Sequence, residues 1–282
     1  MTEKSKENSS KTIISNRPFL KWAGNKYRII DRVRNALPDG KRLIEPFAGS
    51  CAVFLNTDYE QYLINDNNPD LIHLFLILKQ DGAAFIKKCR YYFSPRFNTE
   101  EQYYKLREKF NNTNDRYKRA VLFVYLNRHG YNGLCRYNLK GGYNVPFGRY
   151  KSPYFPASEM LTFHLKAQKA EFVLSSFEQI IQTAKKGDVI YCDPPYVPLS
   201  ASANFTSYSK GGFNLEKQQQ LADLAKSTAE KGIPMLISNH NTSFTRSAYN
   251  QAVISKFHVQ RFISCNGEKR GMAGELLALF SW

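Results

Sequence analysis

The chain has 282 residues, 43% hydrophobic and 23% charged, an ordinary globular composition for one large domain or one domain with a sizeable insertion. At that length a chain buries roughly three quarters of its unfolded surface, so its core needs no disulfide or metal staple. The charge is not ordinary: 40 Lys+Arg against 24 Asp+Glu leave +16, which points to a polyanionic partner, either nucleic acid or an anionic membrane surface.

Residues 1–15 (MTEKSKENSSKTIIS) read as a disordered tail, too polar for a signal peptide, so secretion is not expected. Residues 19–26 (FLKWAGNK) form an aromatic and basic segment. Arg42–Glu45 is a short strand running into the tight loop Pro46-Phe47-Ala48-Gly49, and Gln61–Asp66 is a second strand ending in an acid. The longest apolar runs, such as residues 71–78 (LIHLFLIL), fall far below the ~20 residues of a membrane-spanning helix, so no membrane partner is expected.

Between Pro69 and Pro156 the composition changes to 16 Lys+Arg against 6 Asp+Glu, with 11 of the 18 tyrosines. This stretch therefore carries +10 of the chain's +16. It reads as helices at Glu100–Phe110 and Asp115–Arg128, a glycine-rich loop, and a hairpin turning at Gly141-Gly142. A nucleic-acid-binding insertion fits, and so does a solvated helical subdomain with Lys and Arg on its surface. Asp188–Asp193 is then a third strand, ending at Pro194-Pro195. An amphipathic helix, Leu215–Glu230, leads to a fourth, Ile233–Asn239. Short, nearly all-apolar strands alternating with helices predict an α/β fold, a parallel sheet covered on both faces. In such sheets ligands bind off the carboxyl ends of the strands. The expected organisation is a discontinuous sheet domain, residues 16–68 and 157–282, interrupted by the insertion at 69–156.

The five cysteines (Cys51, Cys89, Cys135, Cys192, Cys265) are scattered and never form a CxxC pair, as in a reducing cytosol. No histidine sits at ligand spacing from a cysteine or another histidine, so no metal is expected.

Asp193-Pro194-Pro195-Tyr196 is the most informative tetrapeptide. The strand places Asp193 at the sheet edge. The two prolines remove two N–H donors and fix φ, leaving carbonyl acceptors without competing backbone donors. A carboxylate, a carbonyl and a flat ring together suit a planar group bearing an exocyclic –NH2. Alone, the tetrapeptide could be a proline-rich turn. A second motif at the neighbouring strand ends, Glu45-Pro46-Phe47-Ala48-Gly49-Ser50-Cys51 followed by Asp66, argues for a site. A glycine loop lets backbone approach a ligand, and an acid at the next strand end can hold a ribose diol, although Asp66 could also merely cap the helix that follows.

Taken together, residues 19–26, 45–51 and 193–196 resemble the DNA adenine methyltransferase (Dam) family, α-type amino-methyltransferases whose pattern runs FLKWAGGK, EPFxGxG, a target-recognition insertion, then DPPY. The resemblance extends through 126–138, 144–150, 198–201 and 236–240, and covers about residues 17–280. It implies a Rossmann-like S-adenosylmethionine-dependent methyltransferase sheet with an inserted helical and β-hairpin target-recognition domain at 69–156. It also implies a metal-free, cytoplasmic, nucleoid-associated enzyme, a monomer in solution. Its reaction would be methyl transfer from S-adenosylmethionine to N6 of adenine in double-stranded DNA, in GATC, by base flipping. By the same resemblance Trp22, Lys26, Phe47, Gly49, Asp66 and Asp193 line the cofactor site, and Asp193, Pro194 and Tyr196 hold the flipped adenine. In the insertion, Tyr131 resembles the residue wedged into the duplex, with Asn132 beside the vacated space. Leu134 and Pro146 resemble contacts to a thymine methyl, Arg136 the guanine reader, and Lys21 and Tyr150 the readers of the first base pair. Arg128, Asn138 and Arg149 resemble phosphate or nearby backbone contacts. Asn25 and Cys51 stand where the family pattern has glycine. At Cys51 a side chain makes a left-handed backbone conformation more costly.

The chemistry implied is direct. An adenine amine delocalises its lone pair into the ring; hydrogen bonds from its protons to Asp193 and the Pro194 carbonyl draw the nitrogen toward sp³ and free the pair for in-line attack. Positioning and electrostatic preorganisation carry such a transfer without a covalent enzyme intermediate. Two other classes share parts of the pattern: an amino-methyltransferase acting on RNA or another exocyclic amine, which would lack the reader residues, and a DNA-binding module with a dead site, hinted at only by Cys51.

Overall fold

Alternate residues of a strand face opposite sides of a sheet, so strands covered on both faces are apolar throughout. The computed structural model, which describes residues 15–198, 213–260 and 272–282, shows this arrangement. Its strands are β1 (Arg42–Glu45), β2 (Gln61–Asp66), β3 (Ala170–Leu174), β4 (Asp188–Cys192), β5 (Met235–His240), β6 (Val253–Gln260) and β7 (Met272–Phe280). They form one sheet in the order β3-β2-β1-β4-β5-β7-β6. The first five are parallel, and β7 runs antiparallel between β5 and β6. This is the Rossmann-like sheet expected. The chain steps outward from β1 to β2 and β3, then returns to start β4 on the other side of β1. Strand order therefore reverses between β1 and β4, and their carboxyl ends open the crevice where such sheets bind ligands. At the opposite ends, Arg42 donates two hydrogen bonds to the buried Asp188 carboxylate (3.0 and 2.6 Å), locking the register of the two strands.

Leu43, Tyr62, Ile64, Val189, Tyr191 and Leu236 point to one face, and Ile44, Leu63, Ile190, Cys192, Met235 and Ile237 to the other. The first face is covered by α1 (Ile30–Ala36), α2 (Ala52–Asn56), α3 (Pro69–Arg90) and, further along the chain, Met160 and Phe163 of α6 (Ala157–Ala167). The second is covered by α7 (Phe177–Gln182), α8 (Leu215–Glu230) and α9 (Ser243–Ala248). Leu221, Ala222, Ala225 and Ala229 of α8 recur at helical spacing on that buried face, and Asn214 caps its N-terminus through Lys217 N.

Between α3 and α6 lie α4 (Glu100–Asn112) and α5 (Arg116–His129), close to the spans read from sequence. Phe75 of α3 packs on Phe163 and Phe172 at ring distances of 4.9 and 5.6 Å, while the same apolar cluster continues into Tyr103, Phe110 and Tyr125. The region is thus braced on the sheet by a continuous core. The hairpin at Gly141-Gly142 is a chain reversal without a ladder: only single antiparallel bridges join Tyr137 to Tyr143 and Gly130 to Phe147. Side chains replace the ladder. Asn138 Oδ1 accepts from Lys140 N and Gly142 N, and Asn111 at the end of α4 brackets Tyr143 by accepting from its N–H and donating to its carbonyl. The Tyr137 hydroxyl donates to Asp70 Oδ2 at 2.7 Å, and Arg119 holds the same buried carboxylate. The tail at 1–14 and residues 199–201 of the family resemblance lie outside the described residues.

Tyr137→Phe removes the hydroxyl that ties the reversal to α3. It is expected to lower unfolding stability by about 1.5–3 kcal/mol, the worth of a hydrogen bond to a charged group. Urea unfolding measures this, and an unchanged midpoint would show that the bond contributes nothing.

Candidate active site

β4 ends at Cys192, one residue earlier than its sequence span, so Asp193 stands free at the carboxyl edge. Its Oδ1 receives Lys26 Nζ at 2.8 Å and Ser238 Oγ at 2.9 Å, the latter from the end of β5. Lys26 is itself buried. It donates to the Gly24 carbonyl (2.6 Å) and sits 4.6 Å from the Tyr196 ring centre. Burial pushes the Asp193 carboxyl above its usual range, against the pull of Lys26 and Ser238. The side chain keeps 21% of its surface exposed, so one edge faces outward.

The Pro194-Pro195-Tyr196 loop is pinned from below. Gln218 of α8 donates to the Pro195 carbonyl at 2.6 Å and accepts from Asn239, whose Oδ1 takes Val197 N at 3.1 Å. Among the described residues none donates to the Pro194 carbonyl. Tyr196 meets His240 edge to face at 4.7 Å, and its hydroxyl reaches Glu275 at 3.4 Å. The corner therefore offers a carboxylate edge, a free carbonyl and an oriented ring, a set able to accept two protons of one planar amine. Ser238, Gln218, Asn239 and Glu275 escaped the sequence reading. The polar end of β5 (Ser238-Asn239-His240) was their one signal, because Gln218 and Glu275 reach the loop only through folding.

Across the crevice, the loop after β1 turns left-handed at Gly49 (φ +49), whose N–H donates to Asp66 Oδ2 at 3.0 Å. A Cβ on Gly49 would lie 3.0 Å from Trp22 Nε1, so a side chain here would press the indole aside as well as strain the left-handed backbone. Asp66 also accepts from Asn68 N; burial raises its pKa and these amides lower it. Cys51 adopts the left-handed conformation (φ 60, ψ 34) despite its side chain. That costs about 1–2 kcal/mol, and full burial of the thiol against the core offsets it. Asn25 caps the Lys26–Ile29 turn through Tyr27 N. Phe47 lies against Phe177 (5.3 Å) and Phe213 (5.5 Å), an aromatic wall beside the loop.

Glu45, the last residue of β1, is 2% exposed, and its Oε1 has no hydrogen-bond partner among the described residues. Burial, then the nearby Asp193 charge, push its carboxyl up to about 8, so it is neutral at pH 7.

The DNA-reader residues of the resemblance gather on one surface, with one exception. Lys21 Nζ stands 4.0 Å over the Tyr150 ring, and the Tyr150 hydroxyl accepts from Asn132 N at 2.9 Å. Gly133 (φ +61) lies so close that a Cβ would fall 2.1 Å from Lys21 Cβ. Tyr131 is 50% exposed and its N–H donates to the Pro146 carbonyl. Leu134 is half-buried, while Pro146 and Asn138 are exposed. Arg136 is exposed yet held, donating to Asn144 Oδ1 (2.8 Å) and the Asn144 carbonyl (3.0 Å). Arg149 pairs with Glu100 at 2.9 Å. Arg128 is the exception: it is 9% exposed and donates to the Tyr154 and Phe19 carbonyls, so the structure makes it a brace behind the surface.

The sheet order defines a Rossmann-like α/β fold, and the corner after β4 presents acceptors that suit a planar amine. The family model for D12 class N6 adenine-specific DNA methyltransferases matches residues 22–263, and the chain belongs to that family. It is 51% identical to the DNA adenine methylase of Escherichia coli K12 over 265 residues, covering 94% of this chain and 95% of that one. The Vibrio cholerae El Tor and Serratia marcescens DNA adenine methylases are each 50% identical over 266 residues, 94% of this chain and 96% and 98% of theirs. The chain is thus an adenine-specific DNA methyltransferase with S-adenosylmethionine as methyl donor. The site fits that donor: a part-exposed carboxylate ends β2, and beside it the glycine loop packs its bare Cα against Trp22. No group of three or more potential metal ligands occurs among the described residues, and no helix there is long and apolar enough to cross a membrane.

Glu45→Gln tests the neutral state of Glu45. An unfolded Glu ionises near 4.5 and the folded one near 8. The folded state thus keeps a proton that the unfolded chain releases. Stability from this group is complete below pH 4.5 and is lost as pH rises from 4.5 to 8. Glutamine has no proton to lose. The variant's unfolding free energy is expected to gain at least ~1 kcal/mol on wild type between pH 5 and 8; a pH-independent difference would mean that Glu45 is ionised in the fold.

Proposed function

We propose that the enzyme methylates N6 of adenine in duplex GATC after flipping the base out of the helix, acting as a cytoplasmic, nucleoid-associated monomer. One observation carries the flipping: the corner is recessed, with Pro194 buried and only a fifth of Asp193 exposed, so an amine still stacked inside a duplex is out of its reach. S-adenosylmethionine supplies an electrophilic methyl group on sulfur. Asp66 holds its ribose diol, Gly49 and Trp22 border it, Phe47 adds an apolar wall, and Lys26 keeps Asp193 in place. Asp193 and the Pro194 carbonyl accept the two amine protons, and Tyr196 stacks on the adenine.

Recognition falls to the region 69–156, set into the catalytic part formed by 16–68 and 157–282. Arg136, oriented by Asn144, reads guanine through its free N–H edge. Leu134 and Pro146 contact a thymine methyl, Lys21 and Tyr150 read the first base pair, and Asn138 and Arg149 contact phosphates. Exposed Tyr131 stacks in the gap beside Asn132, repaying part of the unstacking cost. Arg128 supports the surface from beneath.

Purified protein with S-adenosylmethionine should render GATC-containing duplex resistant to a nuclease blocked by GATC adenine methylation; full cleavage would refute the assigned site. Asp193→Ala should lower kcat more than tenfold, over ~1.4 kcal/mol, with DNA affinity retained. Arg136→Ala should relax specificity at one base pair by about 1–3 kcal/mol. Equal losses on cognate and non-cognate duplexes would remove Arg136 as a reader. With 2-aminopurine at the target, Tyr131→Ala should brighten less than wild type at saturating protein. Equal brightening with an unchanged single-turnover rate would exclude a wedge.

A further inference from the structure

A cleft of about 610 Å³ opens beyond the end of α3, away from the residues assigned so far, lined by Lys87, Arg90, Tyr91, Ser94, Pro95 and Arg96. Its three cations are exposed, and among the described residues no carboxylate forms an ion pair with any of them. The two arginines are nevertheless oriented. The Arg96 guanidinium lies 4.7 Å from the ring centres of both Tyr91 and Phe97, and that of Arg90 lies 4.7 Å from the centre of Phe155. Stacking on rings fixes the planes of these guanidiniums while leaving their N–H edges open. Ser94 Oγ, enclosed in the same wall, has no hydrogen-bond partner among the described residues. By contrast, Arg119 in the same region is paired with the buried Asp70. Here two ring-stacked guanidiniums and the exposed Lys87 ammonium share one surface, the donor set of a phosphate site.

The location says which phosphate. Two residues after Arg96, Asn98 Nδ2 donates to the Tyr150 carbonyl at 2.8 Å and the Lys151 carbonyl at 3.2 Å. Two residues span at most ~7 Å of chain, so Arg96 borders the segment that carries Tyr150. Phe155, under Arg90, continues that segment four residues beyond Lys151. The cleft is therefore contiguous with the reader surface and lies outside it.

We propose that this cleft binds the phosphodiester backbone of duplex DNA beyond the four recognised base pairs, an inference that rests on the functional reading above. The contact carries no sequence information. It lengthens the footprint and steepens the salt dependence of binding.

The test uses the full chain and the double variant Lys87→Gln/Arg96→Gln, with one centred GATC in duplexes of about 10 and about 30 base pairs. Both side chains are exposed, so an unchanged Tm verifies the fold. On the long duplex the variant's plot of log Kobs against log salt should be flatter by roughly two units, and its affinity at low salt should fall at least tenfold. On the short duplex the two proteins should bind alike, and kcat at saturating DNA should match on both. Identical slopes on the long duplex would overturn the proposal, as would equal weakening on both lengths, which would assign the cations to the reader surface itself. Failure of the functional reading looks different: wild-type protein would leave both duplexes unmethylated whatever the variant binds.

Discussion

One buried ammonium organises the site. The reversal of strand order brings Glu45 and Asp193, at the ends of β1 and β4, close enough for the Asp193 charge to raise the Glu45 carboxyl. Two neighbouring carboxyls in a low-dielectric corner do not both stay ionised cheaply, and their partners decide which one does. Asp193 has Lys26 at 2.8 Å and the Ser238 hydroxyl at 2.9 Å, whereas Glu45 has an orphaned oxygen. Glu45 therefore takes the proton, and Asp193 is the carboxyl whose charge Lys26 and Ser238 favour.

The same ammonium fixes the N-terminal segment across the molecule. Phe19 is fully buried against Phe163 and Phe75. Lys21 exchanges two backbone hydrogen bonds with the Asn127 side chain and lies over Tyr150, Trp22 abuts Gly49, and Lys26 closes on Asp193. Eight residues thus touch the core, the reader surface, the loop after β1 and the amine-accepting corner. A displacement of this segment would misplace reader and carboxylate together. On the proposed reading, recognition and chemistry therefore share one mechanical element.

The strands around the crevice were legible because burial on both faces demands uninterrupted apolar runs, and because each run stops at a polar residue or a Pro/Gly turn. β3, β6 and β7 lacked that punctuation. β3 and β6 are edge strands with alternating exposure, and β7 lies antiparallel in a stretch whose partners are distant in sequence. The site divided the same way. Residues held by their own motif, Asp193 and Gly49 among them, could be named from local sequence. Gln218, Ser238 and Glu275 contribute through tertiary placement, and no local pattern marks a glutamine on a helix as the support of a proline loop. The hairpin was legible as a reversal but not as a structure without a ladder, since Asn111 and Asn138 do the work of strand partners from positions that read as helix end and turn.

Charge shows the limit of composition most plainly. The stretch from 69 to 156 carries +10, yet part of that positive charge is committed within the protein. Arg119 answers Asp70, Arg149 answers Glu100, and Arg128 is folded onto two carbonyls. A count of lysines and arginines therefore overstates how many counterions a bound duplex displaces. On the proposed reading, the charges best placed for DNA are those the fold has oriented and left without a carboxylate partner among the described residues: the Arg136 edge turned by Asn144, Lys21 above its ring, and the two arginines stacked along the cleft. Net charge draws the polyanion in from a distance. Its register on the surface is set by which of those charges have been neutralised from within.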